Sequence, residues 1–87
     1  MKYPDTIFQT SSLNLASYLL VNSFELLGKE PDLIDIRRVL FVFQDRQDRE
    51  SLATSFLTGH GGNVNVHRFL EAQKQLKNLL KETRDSF

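Results

Sequence analysis

An unbroken apolar run, Val-Leu-Phe-Val-Phe at positions 39–43, stands near the middle of this 87-residue sequence. It is rich in β-branched and aromatic residues, a composition that predicts a β-strand covered on both faces. Side chains of a strand alternate between its two faces, so Val39, Phe41 and Phe43 should face one way and Leu40 and Val42 the other. The run therefore predicts an α+β domain built around one central strand.

Periodicity and capping residues predict the other elements. Residues 7–10 are typical of a short first strand, and the hydroxyls of Thr10, Ser11 and Ser12 can cap a helix over 13–22. A second strand is expected over 24–28 and the central strand over 39–43. Asp48 can cap a helix over 49–58, which Gly59 can end, and Asn65 can cap a last helix over 67–83. The predicted order is β-α-β-β-α-α, with a three-stranded sheet packed against helices.

The apolar stripes of these elements predict the core. In the second helix the stripe includes Leu57, and in the connection before the central strand Ile34 and Ile36 are expected to tuck under the sheet. The hydrophobic pattern does not say which strands are neighbours. The residues predicted to form the centre of the core are Phe8, Leu19, Leu26, Phe41, Phe43, Phe56, Phe69 and Leu76.

Length and composition limit the possible classes of protein. A chain of 87 residues predicts one domain over 1–87, with an ordered core over about 7–81. Cysteine is absent, so disulfides and thiolate chemistry are excluded. No apolar run approaches the roughly 20 residues of a membrane-spanning helix, and the N-terminal stretch lacks a leader pattern. These features predict a cytoplasmic protein that does not enter a membrane.

A sheet has two faces, and the helices must cover at least one of them. Leu40 and Val42 are apolar, so the face to which they belong needs a covering layer. Either the helices wrap both sides of the sheet or a second copy of the chain covers the remaining face. The eleven basic and eleven acidic residues cancel, which gives little protection against self-association. A homodimer is therefore one of two open predictions.

The chain also resembles a family of small bacterial and phage proteins classed as a domain of unknown function. The resemblance starts with Phe8-x-Thr10 and the Leu-rich first helix, continues with Phe41-Val42-Phe43-x-Asp45, and includes Phe56-Leu57-x-Gly59 and Val66-x-x-Phe69. It covers about residues 7–81. Its motifs are core and turn positions, so the resemblance implies the fold and implies no substrate, cofactor or catalytic residue.

Two groups of side chains could carry metal chemistry. Asp45, Asp48 and Glu50 follow the central strand, where carboxylates can hold Mg²⁺. The alternative is structural, with Asp45 ending the strand, Asp48 capping the helix and Glu50 favoured near its N-terminal end. His60 and His67 supply at most half of a zinc site, and Glu71, one turn after His67, suits a surface pair. No cofactor and no metal site is predicted.

The last helix carries the best candidate for a binding surface. At about 100° per residue, four basic side chains fall on the side away from its apolar stripe, with His67 approximately in line. This strip could follow a phosphate backbone, or it could be the ordinary solvated side of an amphipathic helix. No aromatic residue is interleaved for base stacking. The strip consists of Lys74, Lys77, Lys81 and Arg84.

These observations predict a non-catalytic interaction module that self-associates, with no small-molecule ligand. One alternative is a nucleic-acid-associated accessory protein that uses the basic strip of the last helix. A second is a small metal-dependent enzyme that uses the acidic cluster. No nucleophile elbow or oxyanion loop supports catalysis, and a chain of this size has little room for a deep pocket.

Overall fold

A computed structural model describes residues 6–35, 37–59 and 64–86 of the chain, with side chains described as far as residue 81. It confirms the α+β class and the order β-α-β-β-α-α. None of the described helices is both long enough and apolar enough to cross a bilayer. The elements are β1 (Ile7–Thr10), α1 (Leu13–Val21), β2 (Leu26–Pro31), β3 (Val39–Gln44), α2 (Arg49–Leu57) and α3 (Val66–Ser86).

The sheet is antiparallel and has the strand order β1-β3-β2, so the apolar run lies at its centre. Phe8 of β1 and Leu26 of β2 both pair with Phe43. Glu30 of β2 pairs with Leu40. A register shift between Leu26 and Gly28 marks a bulge in β2. The pairing leaves β1 and β2 as the two edges of the sheet.

The helices pack on the face of the sheet that carries Phe41 and Phe43. Both rings are buried, with 1% and 0% of their surface exposed, beside Leu19 of α1 and Leu76 of α3. Helix α1 lies at the centre of this layer because it contacts α3, α2 and β1. All of the predicted central residues except Phe69 are therefore buried or packed against the core, with Phe8, Leu26 and Phe56 partly buried. Phe69 is likewise half-buried on α3.

The opposite face of the sheet, here called the outer face, carries Leu40 and Val42, as the alternation predicts. Val42 is fully buried, whereas Leu40 is only half-buried. The helix-side core cluster includes neither residue. Ile7 of β1, which pairs with Gln44 at the other end of this face, is half-buried as well, so partly exposed apolar surface lies at both ends of the outer face.

Three of the predicted helix boundaries are confirmed by their hydrogen bonds and backbone angles. The Ser12 hydroxyl accepts a hydrogen bond from the Leu15 amide at 3.1 Å, and the Asn65 side chain accepts one from the Arg68 amide at 3.1 Å. Gly59 has φ +79°, the left-handed conformation in which glycine is favoured. Asp48 occupies the N-cap position of α2, as predicted, but its side chain makes no capping hydrogen bond. Arg46 engages both of its carboxylate oxygens instead.

The structure corrects three further predictions. The second strand runs over 26–31 because Phe24 is tied by its amide to the Leu19 carbonyl at 3.0 Å and is buried in the core before β2 begins. Leu57 is 71% exposed because it is the last residue of α2, which buries only Ala53. Ile34 is exposed rather than tucked under the sheet, and Ile36 lies outside the described residues.

Candidate interaction surfaces

The turn between β3 and α2 gathers two arginines and two aspartates. Arg46 donates two hydrogen bonds to the Asp48 carboxylate, from Nε to Oδ1 at 3.0 Å and from Nη2 to Oδ2 at 2.7 Å. Arg49 donates from Nε to Asp45 Oδ1 at 3.0 Å, one helical turn away. Two carboxylates of the predicted acidic cluster, those of Asp45 and Asp48, are thus paired with arginines.

Each of these arginines also lies over an aromatic ring. The Arg46 guanidinium lies 4.1 Å from the centre of the Phe24 ring, and that of Arg49 lies 4.3 Å from the centre of the Phe8 ring. Arg46 further donates to the Asn22 carbonyl oxygen at 2.9 Å, at the end of α1. The arrangement fastens the turn to α1 and to β1 through planar cation–ring contacts.

The pairing changes the acidity of the carboxyl groups. The hydrogen bond from Arg49 holds the pKa of Asp45 below its ordinary value, and the hydrogen bond from Arg46 does the same to the pKa of Asp48. Glu50 is exposed at the start of α2. Across residues 6–35, 37–59 and 64–81, no three side chains of His, Asp or Glu lie together as a metal site would require.

Of the two histidines, only His67 lies in the described part of the chain, and His60 lies outside it. His67 Nε2 is 3.1 Å from Glu71 Oε1, and both side chains are exposed. This is the surface pair that the spacing predicts.

The basic strip predicted on the last helix lies on the solvent side of α3. Lys74, Lys77 and Lys81 are all exposed, whereas Leu76 is completely buried. None of the three lysines forms an ion pair with another described residue. Arg84 also belongs to α3, but its side chain lies outside the described residues. The "lysine strip" below means Lys74, Lys77 and Lys81.

A second candidate surface lies on the outer face of the sheet. An open groove of about 550 Å³ runs from β1 across β3 to the end of β2 and into the β2–β3 loop. Two large apolar side chains of the loop, Leu33 and Ile34, are 93% and 97% exposed at its side. We call this surface the outer-face patch; it is lined by Gln9, Glu30, Pro31, Asp32, Leu33, Ile34 and Leu40.

The loop that carries Leu33 and Ile34 is held by its own hydrogen bonds. The Asp32 side chain accepts a bond from the Ile34 amide at 2.8 Å, and the Asp32 amide donates to the Arg38 carbonyl at 3.1 Å. The Asp35 side chain accepts from the Arg37 amide at 3.1 Å. Local aspartate bonds of this kind favour turns over regular structure, and in this turn both apolar side chains are exposed.

Sequence reasoning identified the Leu40 face of the sheet as one that needs a covering layer, but it missed the exposure of Leu33 and Ile34 beside that face. The signal was present in Pro31-Asp32 and in Asp35, which are turn-forming residues on either side of Leu33 and Ile34. Apolar character alone suggested burial, and it outweighed the turn chemistry in the prediction.

The comparisons with known proteins identify the family. A search of curated proteins and a search of solved structures each found no match. A family model described as "Domain of unknown function (DUF5659)" matches residues 5–82, most of the chain. The match extends from just before β1 into the last turns of α3, so it includes both the outer-face patch and the lysine strip. The chain therefore belongs to the DUF5659 family.

Proposed function

We propose that this domain is a non-catalytic interaction module that self-associates through the outer-face patch. The observation that supports the proposal is the near-complete exposure of Leu33 and Ile34 beside an open groove. Single exposed apolar residues are ordinary, but adjacent ones that border an apolar groove are typical of interaction sites. The loop hydrogen bonds hold the pair in a defined position, which lowers the entropic cost of binding.

A second copy of the chain suits this surface because the patch contains two complementary parts. The loop offers the projecting side chains of Leu33 and Ile34, and the strand offers the half-buried surface at Leu40. In a two-fold dimer the same patch faces itself, so the loop of each copy can reach the groove of the other. Both apolar parts would then be removed from water in one contact.

The charges around the patch are also compatible with a copy of itself. Glu30 and Asp32 line the groove, while Arg37 and Arg38 are exposed in the same loop. The Arg37 side chain is 88% exposed, although it pairs with Asp35 of its own loop. A patch with both signs of charge can face its own copy with opposite charges opposed, and the zero net charge adds no long-range repulsion.

The size of the patch predicts a weak dimer. Stable interfaces bury about 800 Å² and some 20 or more residues on each partner. The outer-face patch, together with Arg37 and Arg38, contains fewer residues than such an interface. We therefore expect a dimer that dissociates on dilution, rather than a permanent one.

Sedimentation equilibrium over a wide concentration range tests the proposal. The wild-type chain should shift from monomer to dimer as the concentration rises. The variant Leu33→Ser/Ile34→Ser should stay monomeric at every concentration, because it removes the projecting apolar surface without touching the core. Circular dichroism and thermal unfolding should show that its fold is retained.

The matched control is Leu57→Ser/Val66→Ser. Leu57 and Val66 are each 71% exposed, but they lie in α2 and α3 rather than on the outer face. This variant should dimerise like the wild type. A monomeric wild type at the highest concentration, or equal loss of dimer in both variants, would overturn the proposal.

Two other parts of the proposal rest on composition and pairing. A cytoplasmic location accords with a chain that contains no cysteine. The non-catalytic role is supported by the engagement of Asp45 and Asp48 with arginines, which leaves these carboxylates committed to the turn.

A further inference from the structure

We propose that the lysine strip of α3 binds the phosphate backbone of a nucleic acid, at a surface separate from the outer-face patch. The strip lies on the solvent side of a helix whose buried side packs against α1. The outer-face patch belongs to the opposite face of the sheet. The two surfaces can therefore be tested independently, and the failure of one leaves the other standing.

The distribution of charge carries this proposal. The ion pairs among the described residues join Arg37 to Asp35, Arg46 to Asp48 and Arg49 to Asp45. These arginines are neutralised by neighbours in the turns. The only acidic side chain in a described ion pair on α3 is Glu71, which pairs with His67. The net charge of zero thus conceals a local cationic surface at Lys74, Lys77 and Lys81.

The geometry of the strip suits a phosphate backbone. At about 1.5 Å of rise per residue, Lys74 and Lys81 lie about 10 Å apart along the helix axis, with Lys77 between them. Their side chains carry point charges on flexible stems, which can follow a row of phosphates without fixing a sequence. The strip is also convex, since it lies on the outer side of a helix, and a helix fits the major groove of a duplex.

An acidic protein is the other class of partner that such a strip could attract. A specific protein interface usually needs apolar or aromatic anchors at its centre. Among the described residues of α3, the exposed large apolar residues are Val66 and Leu70, which both precede the strip and do not lie at its centre. Because charge without an anchor predominates, the observations favour a backbone contact that does not depend on sequence.

Fluorescence anisotropy with a labelled DNA duplex of random sequence tests this proposal. The wild-type chain should bind at low salt, and its affinity should fall steeply as salt rises. Each lysine that contacts a phosphate adds about 0.9 to the slope of log K against log salt. The variant Lys77→Gln/Lys81→Gln should therefore lower the slope by about 2, and adding Lys74→Gln should lower it by about one more.

The matched control is Ser51→Glu/Thr54→Glu, which lowers the net charge by the same two units at exposed positions of α2. It should keep the slope of the wild type. Equal losses in the lysine variant and the control would show an effect of net charge and would overturn the site. Absence of binding by the wild type at low salt would overturn it as well. If polyglutamate displaced the labelled duplex as well as unlabelled DNA does at the same charge concentration, the strip would be assigned to an acidic protein partner and the nucleic-acid proposal would be overturned.

Discussion

The guanidinium group of Arg46 lies 4.1 Å from the centre of the Phe24 ring. Arg46 belongs to the turn after β3, whereas Phe24 is buried just after α1. The same guanidinium reaches the Asn22 carbonyl and the Asp48 carboxylate, so one side chain connects the end of α1 with the start of α2. Stacking and two-pronged hydrogen bonding together require a planar group with several donors.

The geometry around Arg46 predicts that lysine cannot replace this residue. Arg46→Lys keeps the charge but loses the planar stacking and the paired bonds to Asp48, so the thermal midpoint of unfolding should fall. Arg68→Lys is the matched control, because Arg68 is exposed and its side chain forms no ion pair with a described residue. Differential scanning calorimetry should show a lower midpoint for Arg46→Lys alone. Equal midpoints for the two variants would contradict the role assigned to Arg46.

The pair of Asp45 and Arg49 predicts a loss of stability in acid. The hydrogen bond from Arg49 holds the pKa of Asp45 below its ordinary value of 3.8 in the folded chain. Near and below that value the unfolded chain binds more protons than the folded one, so the free energy of unfolding rises with pH. The contribution is present above the ordinary pKa and disappears as the pH falls through the folded-state pKa.

Urea unfolding at a series of pH values, from neutral to about pH 3, measures this contribution. Asp45→Asn should lower the free energy of unfolding at neutral pH and should flatten its decline in acid. Glu50→Gln, at an exposed carboxylate of α2, serves as the control and should follow the wild-type curve. If the free energy of unfolding of Asp45→Asn declined in acid as steeply as that of the wild type, the pairing with Arg49 would not be a source of stability.

Phe41 should be among the most costly residues to truncate. Its ring is 1% exposed at the centre of the core, so Phe41→Ala removes buried contacts and leaves a cavity. We expect a loss of about 3–5 kcal/mol in the free energy of unfolding, measured with urea. The exposed Leu57 provides the comparison, and Leu57→Ala should change stability by less than about 0.5 kcal/mol. A loss below about 1 kcal/mol for Phe41→Ala would contradict its place in the core.

The capping bond of Ser12 should stabilise α1. Its hydroxyl accepts a hydrogen bond from the Leu15 amide, which otherwise has no partner in the first turn of the helix. Ser12→Ala should lower the free energy of unfolding by about 1 kcal/mol. Ser12→Asp retains an acceptor oxygen at the same position and should restore most of the loss. Equal losses for alanine and aspartate would show that the bond contributes little.

Leu40 offers a test of self-association inside the sheet. Leu40→Thr introduces a β-branched residue suited to a strand but removes apolar surface from the groove of the outer-face patch. If the proposed dimer forms, its dissociation constant should rise about five- to tenfold, which corresponds to roughly 1–1.4 kcal/mol. Sedimentation equilibrium of both proteins at matched concentrations measures the change. An unchanged dissociation constant would place the dimer contact elsewhere.

The elements were predictable where one signal predominated. The apolar run alone identified β3, and the hydroxyl of Ser12 and the amide of Asn65 marked the starts of α1 and α3. The strand order was not predictable, because alternation tells which face a side chain occupies and says nothing of its neighbouring strand. The capping bond of Asp48 was not predictable for a different reason. Its position favours a cap, but its carboxylate oxygens accept hydrogen bonds from Arg46 and make no bond to the helix.

Of the two candidate surfaces, one was predictable from the sequence and the other was not. Helical spacing predicted the lysine strip, because three exposed charges on one side of a helix depend only on local geometry. The outer-face patch depends on a turn in which the Asp32 side chain holds the Ile34 amide. Apolar side chains in such a turn can point inward or outward, and only the assembled sheet determines which.

The central place of β3 has a consequence for the order in which the chain can fold. Within the described part of the chain, β1 and β2 each pair with β3 alone, and the last residue of β3 is Gln44. A nascent chain that ends before this strand therefore has α1 and two strands without a partner. Because synthesis starts at the N-terminus, these segments stay unpaired until the apolar run has left the ribosome. The β2–β3 pair, closed by a short loop, can then form first, and β1 must return across α1 to complete the sheet.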